Sequence, residues 1–204
     1  MSDAMNPGNA TADNFDFSPF YNRGSKLIHY YGLADPSIPT GRNVYFYKQV
    51  QRTLQSKGID LDDFYKFYLI PGMEHCGSTP SNMEAPWYIG GLSQASTIGS
   101  DGSGNHLHER KGFNDGKHDA LLAMIGWVEN GTVPNYLVAT KFHDENELDY
   151  VVKQRLICPW PKQAIYIGNG MWGRRIVGGV RGCIRVRLGG EEGGGCIPRY
   201  ALVD

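Results

Sequence analysis

Two short β-type runs, separated by one helical segment and each followed by a polar loop, restrict the fold more than any other feature. The first run, Lys26 to Tyr31, is broken at Gly32. The second run, within DDFYKFYLIPG, is ended by Pro71-Gly72. The order strand, loop, helix, strand, loop predicts an α/β fold. The segment between the runs has apolar residues at helical spacing and a glycine that predicts the end of the helix: Val44, Tyr47, Val50, Leu54 and Gly58.

The two loops carry residues that suit acid–base chemistry. Asp35 follows the first predicted strand, and His75 follows the second, forty positions later. In esterases of the α/β-hydrolase class, the catalytic acid and histidine follow the nucleophile in that order. We therefore predict that His75 is a general base for a serine hydroxyl and that Asp35 orients its ring.

Each of these two residues also has a plainer interpretation. An aspartate before Pro36 is typical of a turn, and a single histidine in a loop is typical of the surface. Glu74 is an alternative acid, but side chains of adjacent residues in an extended segment point in opposite directions. Asp35 is therefore the preferred acid.

Two other functions compete with esterase chemistry. A metal site would draw on His75-Cys76, on His106 to Glu109, and on His143 to Glu145, but their spacings match no zinc pattern. Solvent-facing polar loops are the favoured interpretation of these segments. A binding module would stack phenolic or sugar rings on the abundant aromatic side chains, although such residues more often form core strands and helix faces.

Composition excludes several classes of partner. The net charge is −1 and the pI is about 6.6, so no basic excess argues for nucleic acid or an anionic membrane. No apolar run approaches the roughly 18 residues that cross a bilayer, and the polar start lacks the apolar region of a secretory signal. Four cysteines permit two disulfides, and two N-x-Ser/Thr sequons begin at Asn9 and Asn130.

The remainder of the chain divides into three parts. Residues 77–117 predict a long excursion with little regular structure. KHDALLAMIGWVENG then predicts a helix, PNYLVATKF an edge strand, and AIYIG another strand. Residues 169–204 are dominated by Gly and Arg and predict a poorly ordered tail outside the main domain, which spans residues 1–168. The predicted buried face of the helix is formed by Leu121, Leu122, Ile125 and Val128.

Four segments in order resemble the fungal tannase/feruloyl esterase family over about residues 8 to 168. GSKLIHYYGLADPSIPTG is similar to its acid segment, with Ser25 where the family has glycine. YLIPGMEHCGSTPSNMEAPWY resembles its histidine segment. HDALLAMIGWVENGTVPNYLVATKF and RLICPWPKQAIYIG resemble the end of its catalytic domain.

The resemblance implies an α/β-hydrolase fold of which this chain is the C-terminal part. It implies hydrolysis of carboxylic esters of aromatic acids through an acyl-serine, with Asp35 as acid and His75 as base. It also implies a disulfide between Cys76 and the cysteine before the nucleophilic serine. Cys158 would pair with a cysteine near the C-terminus, for which Cys183 or Cys196 could stand in.

The family's nucleophile segment, Cys-Ser-x-Gly-Gly, has no counterpart here. The most similar segment surrounds Ser93, but it follows the histidine, whereas the nucleophile of the family precedes both the acid and the histidine. The oxyanion hole and the lid with its calcium site belong to the same upstream part, so no cofactor is predicted for these residues. We interpret the chain as a truncated product or an incomplete gene model. Its tail would then result from translation past a missed splice site. We predict that the chain alone has no measurable esterase activity.

The expected partner is a small phenolic ester. We expect binding to neither nucleic acid nor a membrane, and we predict no oligomeric state. The alternative is an inactive fragment that binds phenolic ligands weakly. The family is typically secreted, and both sequons agree with secretion.

Overall fold

A computed structural model describes residues 11–91, 94, 113–143, 150–166 and 180–185. Predictions made for Asn9, Ser93, His106 to Glu109, Glu145 and Cys196 therefore lie outside the described residues. The elements in chain order are α1 (Ser18–Asn22), β1 (Leu27–Gly32), α2 (Thr40–Gln55), a 3₁₀ turn (Leu61–Asp63), β2 (Tyr65–Ile70), α3 (Ala120–Asn130), β3 (Leu137–Phe142), β4 (Val151–Ile157), β5 (Lys162–Tyr166) and β6 (Val180–Arg185).

β1 and β2 pair in parallel, from Leu27 opposite Tyr65 to Gly32 opposite Ile70, and α2 forms the crossover between them. The predicted strand–helix–strand unit is confirmed. β2 is buried at five of its six positions, as expected for a parallel strand that is covered on both faces. The helix ends at Gln55, and Gly58 forms a turn just beyond it with a φ of +71°.

Among the described residues, the core consists of two clusters. One cluster joins the buried face of α2 to β1, β2 and the 3₁₀ turn, and it includes Tyr31, Tyr47, Val50, Leu54 and Phe67. The other joins β2 to α3, β3 and the chain around Trp87, and it includes Tyr68, Ile70, Met73, Ile89 and Leu137. Both clusters bury residues of β2, which makes this strand the centre of the structure.

The helix α3 begins and ends at recognisable caps, but it buries a different face from the one predicted. The Asp119 side chain accepts hydrogen bonds from the amides of Leu121 and Leu122, and Gly131 ends the helix in the left-handed region. The buried residues are Ala120, Ala123 and Trp127. The prediction of a buried face is wrong at Leu121, Ile125 and Val128, which are exposed, whereas the fourth predicted residue, Leu122, is half-buried.

The remaining strands form two antiparallel pairs, β3 with β4 and β5 with β6. β3 was predicted to be an edge strand, but it has a main-chain neighbour on each side. β4 pairs with one side, and on the other the Thr140 amide and carbonyl form hydrogen bonds with the main chain of Tyr88. The expectation of a tail without regular structure does not hold for residues 180–185, which form β6. Of the two candidate partners for Cys158, Cys183 is the one bonded to it. The helices of the described residues are too short or too polar to cross a membrane.

Candidate active site

Asp35 and His75 meet at one end of the β1–β2 pair. Asp35 lies in the loop that follows β1, and His75 lies in the loop that follows β2. Because the two strands are parallel and in register, their following loops emerge at the same edge. His75 Nδ1 lies 2.8 Å from Asp35 Oδ2. The parallel pairing therefore brings together two residues that are forty positions apart in sequence.

The main chains of these two loops are bonded to each other. The Leu33 amide donates to the Ile70 carbonyl at 3.0 Å, and the Ala34 amide donates to the Met73 carbonyl at 2.9 Å. Gly32 permits the close approach, since a Cβ at this position would lie 2.1 Å from the Glu74 carbonyl oxygen. The relative position of the two loops is thus fixed before either functional side chain is considered.

The Asp35 carboxylate is held by its own loop as well as by His75. Its Oδ1 accepts hydrogen bonds from the Ser37 amide at 2.8 Å and from the Ile38 amide at 3.0 Å. Burial alone raises the pKa of Asp35, but the hydrogen bonds from His75 and the two amides outweigh it and lower the pKa to about 2. Asp35 is therefore an ionised acceptor across the physiological pH range.

The ionised state of Asp35 fixes the role of each ring nitrogen of His75. A carboxylate only accepts hydrogen bonds, so Nδ1 must carry the proton that it donates to Asp35. In the neutral ring, Nε2 is then the basic nitrogen. The side chain of His75 is 61% exposed, whereas that of Asp35 has no exposed surface. The pair therefore presents a base to the exterior and keeps its orienting acid inside.

Cys76 and Glu74 flank the histidine. Cys76 adopts a φ of +64°, in the left-handed region that residues with a side chain rarely occupy. It is a free thiol among the described residues, and burial, followed by the charge of Asp35, raises its pKa. Glu74 is tied to the loop through its amide, which donates to the Ser78 carbonyl. The ring of His75 bonds to Asp35, the preferred acid, and not to its neighbour Glu74.

The other predicted site residues lie elsewhere. Asn130, in the second sequon, is the exposed last residue of α3. Cys158 and Cys183 form the disulfide that joins the segment after β4 to β6. Within the described ranges, His, Cys, Asp and Glu side chains form no group of three that could hold a metal ion.

The structure adds two features that the sequence analysis missed. The Tyr31 hydroxyl, at the end of β1, donates a hydrogen bond to the Ile38 carbonyl in the Asp35 loop. A second histidine–aspartate pair, His118 with Asp115 at 2.9 Å, lies in the turn before α3. The only sequence signal for the Tyr31 contact is the position of this tyrosine, two residues before Leu33. The signal for the second pair is the spacing of three residues between Asp115 and His118.

A family model described as tannase and feruloyl esterase matches residues 3–174. Feruloyl esterase B of Aspergillus niger is 32% identical over 166 residues, and feruloyl esterase C of Talaromyces stipitatus is 31% identical over 171 residues. A tannase of Aspergillus oryzae is 31% identical over 160 residues. These alignments cover 81%, 83% and 76% of this chain.

Solved structures show the same relationship. The crystal structure of feruloyl esterase B from Aspergillus oryzae superposes with a TM-score of 0.66 at 30% identity over 84% of this chain. Tannin acyl hydrolase from Aspergillus niger superposes with a TM-score of 0.56 at 26% identity. These likenesses are consistent with an α/β-hydrolase fold.

This chain spans only a part of the proteins that it matches. It covers 28% of the length of each of the two feruloyl esterases and 21% of the tannase. The match nevertheless covers most of this sequence, including both loops of the site. The chain therefore belongs to the tannase and feruloyl esterase family.

Proposed function

We propose that this chain supplies the acid and the base of a serine carboxylic ester hydrolase, with Asp35 as the acid and His75 as the base. The observation that carries the proposal is the 2.8 Å hydrogen bond between His75 Nδ1 and Asp35. It sets the histidine in the tautomer whose outer nitrogen can accept a proton. Family membership supplies the reaction class, since the relatives are feruloyl esterases and a tannase.

The proposed mechanism uses the two nitrogens of His75 differently. Nε2 takes the proton of a serine hydroxyl as the oxygen attacks the ester carbonyl, and it later returns a proton to the leaving alcohol. Nδ1–H stays bonded to Asp35, whose negative charge stabilises the imidazolium that forms. A water molecule then repeats the sequence and releases the acid from the acyl-serine.

The nucleophile in this proposal comes from outside the 204 residues. No serine of this sequence stands in a Cys-Ser-x-Gly-Gly segment. Cys76 follows His75 directly, and its thiol is free among the described residues. We propose that Cys76 bonds to a cysteine beside the nucleophile. A disulfide holds its two Cα atoms within about 4.4–6.8 Å, so this bond would keep the serine close to the base.

The proposed substrates are small esters of phenolic acids. The names of the relatives point to feruloyl and tannin esters. The choice between ferulic, gallic and other acids is assigned to the part of the family outside these residues. Secretion belongs to the same proposal, and the exposure of Asn130 within its sequon agrees with it. No metal or cofactor is assigned to the residues of this chain.

A chimera tests the proposal. In feruloyl esterase B of Aspergillus niger, the 28% that matches this chain would be replaced by residues 3–185, which include both cysteines of the Cys158–Cys183 disulfide. We expect the chimera to hydrolyse methyl ferulate, and we expect His75→Ala to reduce kcat on the order of 10⁶-fold. Asp35→Asn should also lower kcat strongly, because it removes the charge that orients and stabilises the ring.

The second histidine–aspartate pair provides matched controls. His118→Ala and Asp115→Asn disrupt a pair of similar geometry, 2.9 Å apart, in the turn before α3. Both variants should keep the turnover of the parent chimera. A folded chimera that only binds ferulate would refute the assignment and leave weak phenolic binding as the function. Turnover that survives His75→Ala would refute the role of His75 as the base. The 204-residue chain alone should give no turnover.

A further inference from the structure

Tyr31 contacts the loop that carries Asp35. It is the penultimate residue of β1, and its side chain packs in the α2 cluster with only 5% of the residue exposed. Its hydroxyl donates a hydrogen bond to the Ile38 carbonyl, seven positions further along the chain. A buried phenol needs such a partner, because an unpaired hydroxyl in the interior is costly.

The hydrogen bond from Tyr31 continues into the site through Ile38. The Ile38 amide donates to Asp35 Oδ1 at 3.0 Å, and Asp35 Oδ2 accepts from His75 at 2.8 Å. Ile38 is therefore held at its carbonyl by Tyr31 and at its amide by Asp35. These contacts form a chain from the core hydroxyl to the imidazole ring.

We infer that Tyr31 is a positioning residue for Asp35: its hydroxyl fixes Ile38 and so keeps the carboxylate in the orientation that meets His75. The inference rests on the proposed function, because positioning matters for catalysis only if Asp35 is the acid. The ring of Tyr31 fills the core, and a phenylalanine could do the same. The hydroxyl is the part that the core does not require.

The electrostatic surroundings agree with this role. Burial raises the pKa of Tyr31, and the negative charge of Asp35 and a side-chain hydrogen bond with Asp35 raise the pKa further, whereas a hydrogen bond with Thr40 lowers it. The phenol therefore stays protonated and remains a donor at neutral pH. The other titratable groups that face Asp35 are His75 and the Cys76 thiol.

Tyr31→Phe in the 204-residue chain tests the inference without any enzyme assay. We expect the pKa of Asp35, followed by carboxyl-carbon NMR, to move upward from about 2 toward 3.8 as the Ile38 amide loses its fixed position. We also expect exchange of the Ile38 amide to accelerate by up to about tenfold, the effect of one net hydrogen bond. Tyr45→Phe is the matched control, since Tyr45 is 53% exposed and its ring packs against Phe15.

A Tyr31→Phe variant that loses stability but leaves both the Asp35 titration and the Ile38 exchange unchanged would overturn the inference. If the variant does not fold, the unmutated chain still provides a test in a mixture of H₂O and D₂O. A hydroxyl that is held in a hydrogen bond exchanges slowly and splits its ring Cζ signal in two. Two Cζ signals for Tyr31 support the inference, and a single averaged signal like that of Tyr45 contradicts it.

These readouts do not depend on turnover, so they separate the two proposals. A folded but inactive chimera together with a shifted Asp35 pKa in Tyr31→Phe would reject the esterase assignment and retain the positioning role. An active chimera together with an unshifted Asp35 pKa in Tyr31→Phe would support the esterase assignment and reject the positioning role of Tyr31.

Discussion

Gly32 and Glu74 touch through their main chains, and no side chain fits between them. A Cβ at position 32 would lie 2.1 Å from the Glu74 carbonyl oxygen and 2.2 Å from the Met73 carbonyl oxygen. Both oxygens belong to the backbone, so they cannot relieve the clash by rotating as the end of a flexible side chain can. The last residue of β1 must therefore lack a side chain for the Asp35 loop to lie against the His75 loop.

Gly32→Ala should separate these loops and destabilise the chain. The clash forces a backbone shift, for which we expect a loss of about 1–3 kcal/mol in the free energy of unfolding. The Asp35–His75 hydrogen bond should weaken with it, so the pKa of Asp35 should rise from about 2. Urea denaturation and carboxyl-carbon NMR measure the two effects.

Gly41→Ala is the control for that substitution. Gly41 lies in α2 with open space where its Cβ would be. Alanine there should be neutral or stabilising by up to about 1 kcal/mol, since glycine disfavours a helix. Equal stabilities for the two alanine variants would show that the loops can move apart without cost.

The low pKa of Asp35 predicts a window of acid sensitivity. A carboxyl whose pKa is lowered on folding stabilises the folded state above its unfolded value, here 3.8, and loses that contribution as the pH falls through about 2. The stability difference between the wild-type chain and Asp35→Asn should therefore shrink between about pH 4 and pH 2.

Unfolding of both chains by urea from pH 5 to pH 2 measures this difference directly. Asp16, also with a pKa of about 2, and Asp115, with a lowered pKa, titrate in both chains, so their contributions cancel. A difference that stays constant down to pH 2 would mean that Asp35 is not preferentially stabilised as a carboxylate in the folded chain.

The disulfide between Cys158 and Cys183 should contribute measurably to stability. It closes a loop with a sequence separation of 25 residues. Loop-closure entropy for that length gives a stabilisation of about 3 kcal/mol. Cys183→Ser should lower the free energy of unfolding by about that amount, as measured by denaturation without reductant.

Cys76→Ser controls for the loss of a thiol, because Cys76 is free among the described residues. It should leave the stability nearly unchanged. Non-reducing peptide mapping identifies the bond independently: a Cys158–Cys183 peptide is expected, and a Cys158–Cys196 peptide would contradict the pairing.

The βαβ unit and the two loops of the site could be predicted from the sequence because local signals agree there. Short β-type runs and turn residues mark β1 and β2, helical spacing marks α2, and the parallel pairing then places Asp35 near His75. The position of Tyr31 could not be predicted, since its contact with Ile38 depends on how the loop folds back over the strand.

Two strands, β4 and β6, were missed for identifiable reasons. β4 has Lys153, Gln154 and Arg155 in succession and is only half-buried, so it lacks the alternation that marks a strand. β6 lies in a segment rich in glycine and arginine, whose composition disfavours regular structure. Its pairing with β5 and the bond to Cys158 are contacts that local composition does not reveal.

The face of α3 shows the limit of helical periodicity. The helix is apolar almost all round, so spacing alone could not decide which side is buried. The large side chains Leu121, Ile125 and Val128 were predicted inside, yet they are 55%, 41% and 60% exposed. The small residues Ala120 and Ala123 face the core beside Trp127, and their size lets the helix approach its neighbours closely.

Substitutions on the two faces of α3 distinguish the arrangements. Leu121→Gln, Ile125→Gln and Val128→Gln should each change the free energy of unfolding by no more than about 0.5 kcal/mol, because the side chains are exposed. Ala123→Leu should cost about 1–3 kcal/mol, because Ala123 is buried in the core, where a larger side chain causes overpacking.

Urea denaturation of these four variants, with sedimentation to follow self-association, provides the measurement. If the glutamine variants lose more stability than Ala123→Leu, the exposed apolar face is covered in solution and the periodicity identified the buried side. If Ala123→Leu loses more, the buried face is that of Trp127, and α3 packs through its small residues because they let its axis come near β1.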